Sequence, residues 1–285
     1  MKSGILMLAA VASCAASANA ELIFGVTNTQ TLVRWDSSAP STILGGAAIS
    51  GLMANEVVRS IDFRPSNGKL YAIGSFGNIY TLNLNTGAAS FVSQISTPLN
   101  GSSFGMDFNP VVDRLRVITD ADQNLRINVD TGAAIVDGPL AYVAGDPNFG
   151  RNANAVHAAY TNSFAGATST TLFVLDTGLD ILAIQNPPNA GGLMSRGAIG
   201  ANLTDVGAFD ISGTTGRAYV TVLDTARSQS TFWSVDLSTG AGTFLGDMGM
   251  IGGGTVITAM SVMVPAPGSA LLFALGATAV VRRRR

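Results

Sequence analysis

The stretch Ser60-Ile-Asp-Phe-Arg-Pro65 decides the fold, because the chain repeats it as Gly105-Met-Asp-Phe-Asn-Pro110 and as Ala208-Phe-Asp-Ile-Ser212. Nine residues after each aspartate comes a matching strand position, which gives three equivalent pairs: Asp62 with Tyr71, Asp107 with Arg116, and Asp210 with Tyr219. Internal repetition at a fixed spacing indicates a fold built from copies of one unit.

The second half of each unit is also repeated. It reads as two strands joined by a turn in residues 79–88, 125–133 and 232–241, and each copy ends in Thr-Gly-Ala. Glycine supplies the positive φ that such a turn requires, and we expect the Asn or Asp two residues earlier to cap it. Each unit thus predicts four strands. Four-stranded units spaced by about 45 to 50 residues are typical of propeller blades.

A further unit is degenerate, and the two chain ends predict an additional one. Residues 154–200 form the degenerate copy, with an insertion at 161–170 and predicted strands at 172–175 and 181–185. Residues 257–262 predict a first strand without successors, whereas the other three strands of a unit are predicted near the amino terminus, at 22–26, 31–35 and 41–44. Pairing the two ends would close a ring and hide the free sheet edges.

We therefore predict an all-β fold, a propeller of five four-stranded blades closed by pairing of the amino- and carboxy-terminal strands. The alternative is a two-sheet β-sandwich. Residues 22–262 resemble a bacterial family known as domain of unknown function 4394, and the stretches that carry the likeness are 61–65, 70–73, 105–117, 123–126, 137–142, 158–162 and 185–189. The resemblance implies an exported repeat domain and implies no activity.

The carboxy terminus has the features of a sorting signal. Val264-Pro-Ala-Pro-Gly268 is followed by an uncharged run at 269–281 and by four arginines, residues 282–285. This tail resembles the PEP-CTERM signal of exosortase substrates, although Ala266 stands where that signal usually has Glu. The resemblance implies transient anchoring in the inner membrane, cleavage between Pro265 and Gly268 around Pro267, and release to the cell surface or the extracellular space. An ordinary carboxy-terminal membrane anchor is the alternative.

The amino terminus predicts export. Lys2, an apolar core at residues 5–11 and the small residues around Ala20 form a secretory signal that signal peptidase would cleave before Glu21. Cys14 also fits a lipoprotein box loosely, which is the alternative. The predicted domains are a signal peptide at 1–20, a repeat domain at 21–264 and a sorting tail at 265–285.

Composition limits the function of the repeat domain. Cys14 is the one cysteine of the chain, so residues 21–264 contain neither a disulfide nor a thiol nucleophile. This range holds all 18 acidic residues and 16 − 5 = 11 basic residues, which gives a formal charge of −7. Such a balance argues against nucleic acid as a partner, because nucleic-acid binding needs a basic surface.

Three groups of residues are candidate ligand sites. Asp62, Asp107 and Asp210 recur at one blade position, where they would either hold a cation or sugar hydroxyls in the axial channel or tie neighbouring blades through backbone N–H groups. Arg114, Arg116 and Arg126, with Asp113 nearby, would bind a carboxylate or phosphate, or form salt bridges across strands. Asp120 and Asp122 have the alternate spacing of a calcium loop but lack its glycine and distal glutamate, which favours turn capping as their role.

No catalytic constellation is evident. His157 is the one histidine of the chain, and one histidine with two glutamates cannot build a His-rich metal site. We expect a non-catalytic surface or matrix protein that binds extracellular polysaccharide or another exported protein, with no cofactor beyond a possible calcium ion. The alternative is an exported hydrolase or lyase that uses Asp62 and Asp107 as general acid and base.

Overall fold

The computed structural model describes residues 20–250 and 255–264 of the 285-residue chain. Within these ranges the chain forms twenty-one β-strands and one 3-10 helix, Pro188–Ala190. No helix in the described ranges has the length and apolarity needed to cross a membrane. The predicted sorting tail, and all of the predicted signal peptide except Ala20, lie outside the described residues.

The strands form five sheets. Blade 1 contains β1 (Leu22–Thr27), β2 (Thr31–Asp36), β3 (Ile43–Ala48) and β21 (Ile257–Val262). Blade 2 contains β4 (Val58–Phe63), β5 (Leu70–Gly74), β6 (Asn78–Leu82) and β7 (Ala89–Gln94). Blade 3 contains β8 (Phe104–Asn109), β9 (Arg114–Thr119), β10 (Asn124–Ile127) and β11 (Ala134–Val136). Blade 4 contains β12 (Ala141–Tyr142), β13 (Ala155–Tyr160), β14 (Leu172–Asp176), β15 (Ile181–Gln185) and β16 (Gly192–Ala198). Blade 5 contains β17 (Gly207–Ile211), β18 (Ala218–Asp224), β19 (Gln229–Val235) and β20 (Gly242–Asp247).

The blades form a closed ring, which confirms the predicted five-bladed propeller. The innermost strands are β21, β4, β8, β13 and β17, and each contacts the innermost strand of the next blade all the way around. Five sheets around one axis exclude the β-sandwich alternative, in which two sheets would stack face to face.

The two chain ends close the ring as predicted. β1 pairs antiparallel with β21, with Ile23 opposite Val262 and Val26 opposite Ala259. The pairing joins strands that lie at opposite ends of the sequence. The innermost strand of blade 1 therefore comes from the carboxy-terminal part of the chain, and closure needs both ends.

Blade 4 differs from the prediction because it has five strands. The extra strand, β12, precedes β13 in the chain and pairs parallel with the outer strand β16, with Tyr142 opposite Leu193. The connection between blades 3 and 4 thus covers the outer edge of blade 4, which protects an edge that would otherwise be free. The third strand of blade 1 also begins later than predicted, at Ile43 instead of residue 41.

The core is divided among the five spaces between neighbouring blades, and each space holds its own cluster of buried apolar side chains. Between blades 5 and 1, the fully buried Trp35 meets the ring of Phe232 edge-on, with centroids 5.9 Å apart. Because the inner strands of a blade pack on both faces, strands such as β5 and β14 are buried along their whole length, whereas outer strands such as β7 and β20 are largely exposed. The continuous apolar sequence of the inner strands follows from this packing.

The repeated Thr-Gly-Ala turns lock adjacent blades together at the periphery. Gly132 has φ 75°, and a Cβ added there would lie 1.9 Å from the carbonyl oxygen of Gln94 in blade 2, so only glycine fits. The cap was predicted at the wrong position. It is Asn128, four residues before the glycine, whose Oδ1 accepts the N–H of Asp130 at 3.0 Å. In such a turn, the side chain of the first residue accepts a backbone N–H two residues further on. The cap therefore lies four residues before the glycine rather than two.

Candidate functional site at the propeller axis

The three repeated aspartates occupy one position on three innermost strands. Asp62 lies opposite Tyr71, Asp107 opposite Arg116 and Asp210 opposite Tyr219, which is the register that the sequence spacing predicts. All three side chains are at least 96% buried, with exposed fractions of 2%, 1% and 4%. Ser261 holds the same position on β21, opposite Phe24, and is fully buried.

Each of these side chains ties its blade to the next one. Asp62 Oδ2 accepts the backbone N–H of Phe108 at 2.8 Å, and Asp210 Oδ2 accepts that of Val262 at 2.6 Å. Ser261 Oγ accepts the N–H of Phe63 at 3.1 Å. In every case the donor is the residue that follows the equivalent position on the neighbouring blade. The interpretation of the aspartates as blade-to-blade ties therefore has direct geometric support.

Asp107 also bonds the backbone of the next blade, whereas blade 4 has no side chain that does so at the equivalent position. The backbone N–H of Tyr160 on β13 bonds to Asp107. At the equivalent position β13 carries Ala159, which offers no acceptor to blade 5. The N–H of Ile211 is bonded at 2.6 Å by Oδ1 of its own neighbour Asp210 instead. Asp210 thus satisfies the donor that blade 4 leaves open.

The same placement brings the carboxylates together. One oxygen of each of Asp62, Asp107 and Asp210 lies within 4.8 Å of the others, and no other group of three or more potential metal-ligating side chains occurs in residues 20–250 and 255–264. Ser261 Oγ bridges two of them, at 2.8 Å from Asp62 Oδ1 and 3.1 Å from Asp210 Oδ2. We call these four side chains the axial cluster.

Burial in the axial cluster disfavours negative charge. It raises the pKa of Asp62, and the nearby Asp210 raises that pKa further. The pKa of Asp107 is raised by burial and then by the charges of Asp62 and Asp210. Burial also raises the pKa of Asp210, to about 6, although backbone N–H groups oppose the shift. The cluster therefore favours a proton or a cation over three free carboxylates.

The predicted arginine site is filled by the protein's own side chains. Arg116 is 2% exposed and donates to Asp137 at 2.6 Å, Asn124 at 2.7 Å and Asn189 at 2.8 Å. Arg126 grips the same Asp137 with two bonds, of 2.7 and 2.9 Å. Asp137 accepts bonds from both guanidinium groups, a partnership that the spacing of the arginines alone does not reveal.

Asp113 and Arg114, the two other charged residues of the predicted arginine site, have other partners than Asp137. Arg114 is exposed and donates to the carbonyl oxygen of Asp113 at 2.9 Å. The Asp113 carboxylate accepts two bonds from Arg64, at 2.7 and 2.8 Å, and Arg64 also holds Asp130. Arg64 thus links blades 2 and 3, and the repeat gave no signal for this role, because the matching copy has Asn109 at that position.

The predicted calcium residues have turn contacts. Asp120 Oδ1 accepts the N–H of Ser102 at 2.8 Å, and its Oδ2 accepts the Ser102 hydroxyl at 2.6 Å. Asp122 adopts φ 57°, and its Oδ1 is buried without a hydrogen-bond partner among the described residues. The contacts of Asp120 are those of a capping residue, and calcium binding at this pair stays a prediction.

His157 lies inside the ring rather than at an open surface. Its side chain is buried, and Nε2 donates to the carbonyl oxygen of Thr204 at 3.2 Å. Burial lowers its pKa, so the imidazole is neutral at pH 7. It lines a narrow axial cavity together with Ser60, Met106 and Met260. This agrees with a local packing and hydrogen-bonding role.

An open cavity that sequence reasoning missed lies at the mouth of this channel. It has a volume of about 260 Å³ and is lined by residues from blades 1, 2, 3 and 5, among them Gln30, Arg59, Ser102, Phe104, Asp205 and Thr258. The Arg59 guanidinium lies over the Phe104 ring, 5.9 Å from its centroid. A β-bulge between Val58 and Ser60 leaves Arg59 unpaired and exposed. We call this the mouth cavity.

Comparison with solved structures agrees with the fold. A chain in the crystal structure of a nidogen/laminin complex aligns with a TM-score of 0.52 at 13% identity, over 87% of this chain and 100% of that one. A Bacteroides thetaiotaomicron VPI-5482 protein of unknown function aligns with a TM-score of 0.48 at 14% identity, over 80% of this chain and 58% of that one. At 13% identity, the likeness to the chain of the nidogen/laminin complex shows the fold alone. No curated protein matches the sequence. A family model described as Domain of unknown function (DUF4394) matches residues 31–260, most of the chain, and the chain therefore belongs to that family.

Proposed function

We propose that the chain is an exported, exosortase-sorted protein of the cell surface or extracellular matrix, whose propeller binds ligands without catalysing a reaction. The observation that carries the binding part is the mouth cavity, which is open, lined by polar and apolar groups in similar measure, and formed by several blades. Its hydroxyl, amide and charged groups beside an aromatic ring are the chemistry that recognises sugars. We therefore propose an extracellular polysaccharide as the ligand.

The contacts of the first and last described residues of the propeller support processing at both ends of the chain. The backbone N–H of Glu21 donates to Ser37 Oγ at 3.0 Å, and its carboxylate accepts the Tyr219 hydroxyl at 2.7 Å. At the other end, the N–H of Met263 bonds Leu22 at 2.9 Å, and Val264 is buried. The described contacts of Glu21, Met263 and Val264 thus lie next to the two predicted cleavage sites. Removal of residues 1–20 by signal peptidase and of the tail by exosortase would leave every blade intact.

The alternative of an exported hydrolase or lyase has less support. Asp62 and Asp107 lie close enough to work as an acid–base pair, but both are almost completely buried. Asp62 is also held by the N–H of Phe108 and the hydroxyl of Ser261. A polymer in the mouth cavity would not reach them. Binding without catalysis is the function that the geometry supports better.

Export is tested by the mass of the protein isolated from a host that has an exosortase and from a strain that lacks it. We expect a chain beginning at Glu21 in both strains, and loss of the residues after about Gly268 only where exosortase is present. An Ala266→Glu variant restores the usual signal and should be processed at least as completely. An intact tail in both strains, for both variants, would contradict the sorting proposal.

Ligand binding is tested by glycan-array screening of the mature protein, followed by titration of the glycans that bind. We expect Arg59→Ala and Phe104→Ala to weaken binding at least tenfold, because they remove the charged and aromatic walls of the mouth cavity. Arg196→Ala is the matched control, since Arg196 is exposed on the outer strand β16. Equal binding by all variants would place the ligand elsewhere, and an absence of binding by the wild type would exclude the glycans tested.

A further inference from the structure

We propose that the axial cluster is a binding site for one divalent cation, Ca²⁺ by preference, held by Asp62, Asp107, Asp210 and the hydroxyl of Ser261. This site is separate from the mouth cavity, and a cation there would stabilise the ring rather than contact a polysaccharide. The proposal does not depend on export or on ligand binding. Its ligands come from blades 1, 2, 3 and 5.

The distances suit calcium. Because one oxygen of each carboxylate lies within 4.8 Å of the others, some point lies within about 2.8 Å of all three. Calcium binds oxygen at about 2.3 to 2.6 Å, so a shift of a few tenths of an ångström would complete the contacts. Magnesium requires about 2.0 to 2.1 Å and near-octahedral geometry. The carboxylates are fixed by backbone N–H groups, and this restricts the contraction that magnesium would need.

A second observation points into the same place. No N–H or hydroxyl donor among the described residues reaches Oδ1 of Asp107, although this side chain is 99% buried, and its carboxyl group lies within hydrogen-bonding range of that of Asp210. Buried carboxylate oxygens are normally bonded, and an oxygen without a partner indicates a missing donor or ion. Asp107 is also the cluster carboxylate that Ser261 does not contact, since that hydroxyl bonds Asp62 and Asp210.

The Ser261 hydroxyl alone does not neutralise the cluster. Ser261 Oγ carries one hydrogen but lies within bonding distance of two carboxylates, and it also accepts the N–H of Phe63. None of the ion pairs of residues 20–250 and 255–264 involves Asp62, Asp107 or Asp210. Unpaired buried charges cost several kcal/mol each, so protons or a cation must neutralise the cluster. A cation satisfies the charge and the unpartnered oxygen together.

The mouth cavity is the open approach to the inside of the ring. It shares Phe104, Gly207 and Thr258 with the lining of the narrow axial cavity, and none of the four cluster side chains lines either cavity. The axial cavity is narrow, and we expect the cation to enter as the ring folds or opens locally and to exchange slowly. Incubation with chelator should therefore be long, or include a cycle of unfolding and refolding.

The test uses the full chain as the host cell processes and exports it. Metal analysis of the purified protein should give about one calcium per chain, and Ca²⁺ added after treatment with chelator should raise the unfolding temperature more than Mg²⁺ does. Asp107→Asn should weaken Ca²⁺ binding at least tenfold while keeping the shape of the side chain. Asp236→Asn is the matched control. Asp236 caps a Thr-Gly-Ala turn, and the equivalent turn of blade 3 has an asparagine, Asn128, in the same capping position, so we expect this change to be tolerated.

Asp122→Asn separates the axial cluster from the calcium loop predicted by sequence. We expect Ca²⁺ to stabilise this variant as much as the wild type. Stabilisation that is lost in Asp122→Asn and kept in Asp107→Asn would overturn the proposal. So would a wild-type protein that contains no stoichiometric metal and does not respond to Ca²⁺, Mg²⁺ or Mn²⁺, since protons alone would then neutralise the cluster. The wild-type measurements decide the question even if Asp107→Asn does not fold.

Discussion

Replacing Arg116 with methionine tests whether the buried arginine network holds blades 3 and 4 together or is reserved for a ligand. Methionine keeps the length of the side chain and removes its charge and donors. The change removes the bonds to Asp137, Asn124 and Asn189, the last of which belongs to blade 4's 3-10 helix. We expect a large loss of stability, because all three acceptors lie in the interface between these blades.

The magnitude follows from burial. Removing one partner of a buried ion pair costs about 3 to 5 kcal/mol, because the other charge stays behind without compensation. Here Arg126 still donates two bonds to Asp137, so the expected loss is at the lower end, about 3 kcal/mol. With a urea m-value of about 3 kcal/mol/M for a domain of this size, the unfolding midpoint should fall by about 1 M.

Urea unfolding followed by the fluorescence of the two tryptophans, Trp35 and Trp233, measures this change. Arg227→Met is the control, since Arg227 makes bonds of similar length, 2.6 to 3.0 Å, to Asp224 and Asp247 but is 47% exposed. Exposed ion pairs are screened by solvent and contribute little, so this variant should unfold like the wild type. If the two variants lose the same stability, burial is not what makes the Arg116 network matter, and the reasoning fails.

Three further predictions concern the ring itself. Gly105→Ala should lower stability by about 1 to 3 kcal/mol in thermal unfolding, because the added Cβ would lie 2.8 Å from backbone atoms of His157 and Ala158 on the next blade. The lowered pKa of buried His157 means that the unfolded chain takes up the proton first, so stability is lost as pH falls below about 6.5. His157→Gln should therefore lose less stability than the wild type between pH 7.5 and pH 5, as measured by urea unfolding. A chain ending at residue 256 lacks β21 and should lose its cooperative unfolding transition, since blade 1 would have no innermost strand.

The blade pattern could be predicted from sequence because it is encoded locally. The alternation of strands and the turn glycines fix each hairpin, and the distance from Asp62 to Tyr71 sets the register of the first one. Blade 1, which combines both chain ends, could also be predicted. The carboxy-terminal end supplies the first strand of a unit, and the amino-terminal end supplies the three strands that such a unit lacks. These features need only the residues within one unit, or the comparison of one unit with another.

The contacts between blades could not be predicted in the same way. Arg116 of blade 3 donates to Asn189 of blade 4 at 2.8 Å, and nothing in the spacing of these two residues encodes that contact. The parallel addition of β12 to blade 4 is equally non-local. The mouth cavity exists only once segments from four blades meet, so its lining has no signature in any one segment.

The position of the aspartates makes the structural and the ligand-binding interpretations parts of one arrangement. Each acid lies at the place where its side chain reaches the backbone of the next blade, and in a ring of five that place is also close to the axis. Asp107 and Asp210 are separated by blade 4, which carries Ala159 there, and still their oxygens come within 4.8 Å.

The ties between blades therefore bring negative charge to the axis, and the same backbone N–H groups hold the oxygens in fixed positions. A preorganised set of oxygen ligands results without any residue devoted to binding alone. In a ring with more blades, the equivalent positions on the innermost strands would lie further apart. The bonds between neighbouring blades would remain, but the carboxylates would no longer meet at the axis. The axial site thus follows from the number of blades as much as from the three aspartates.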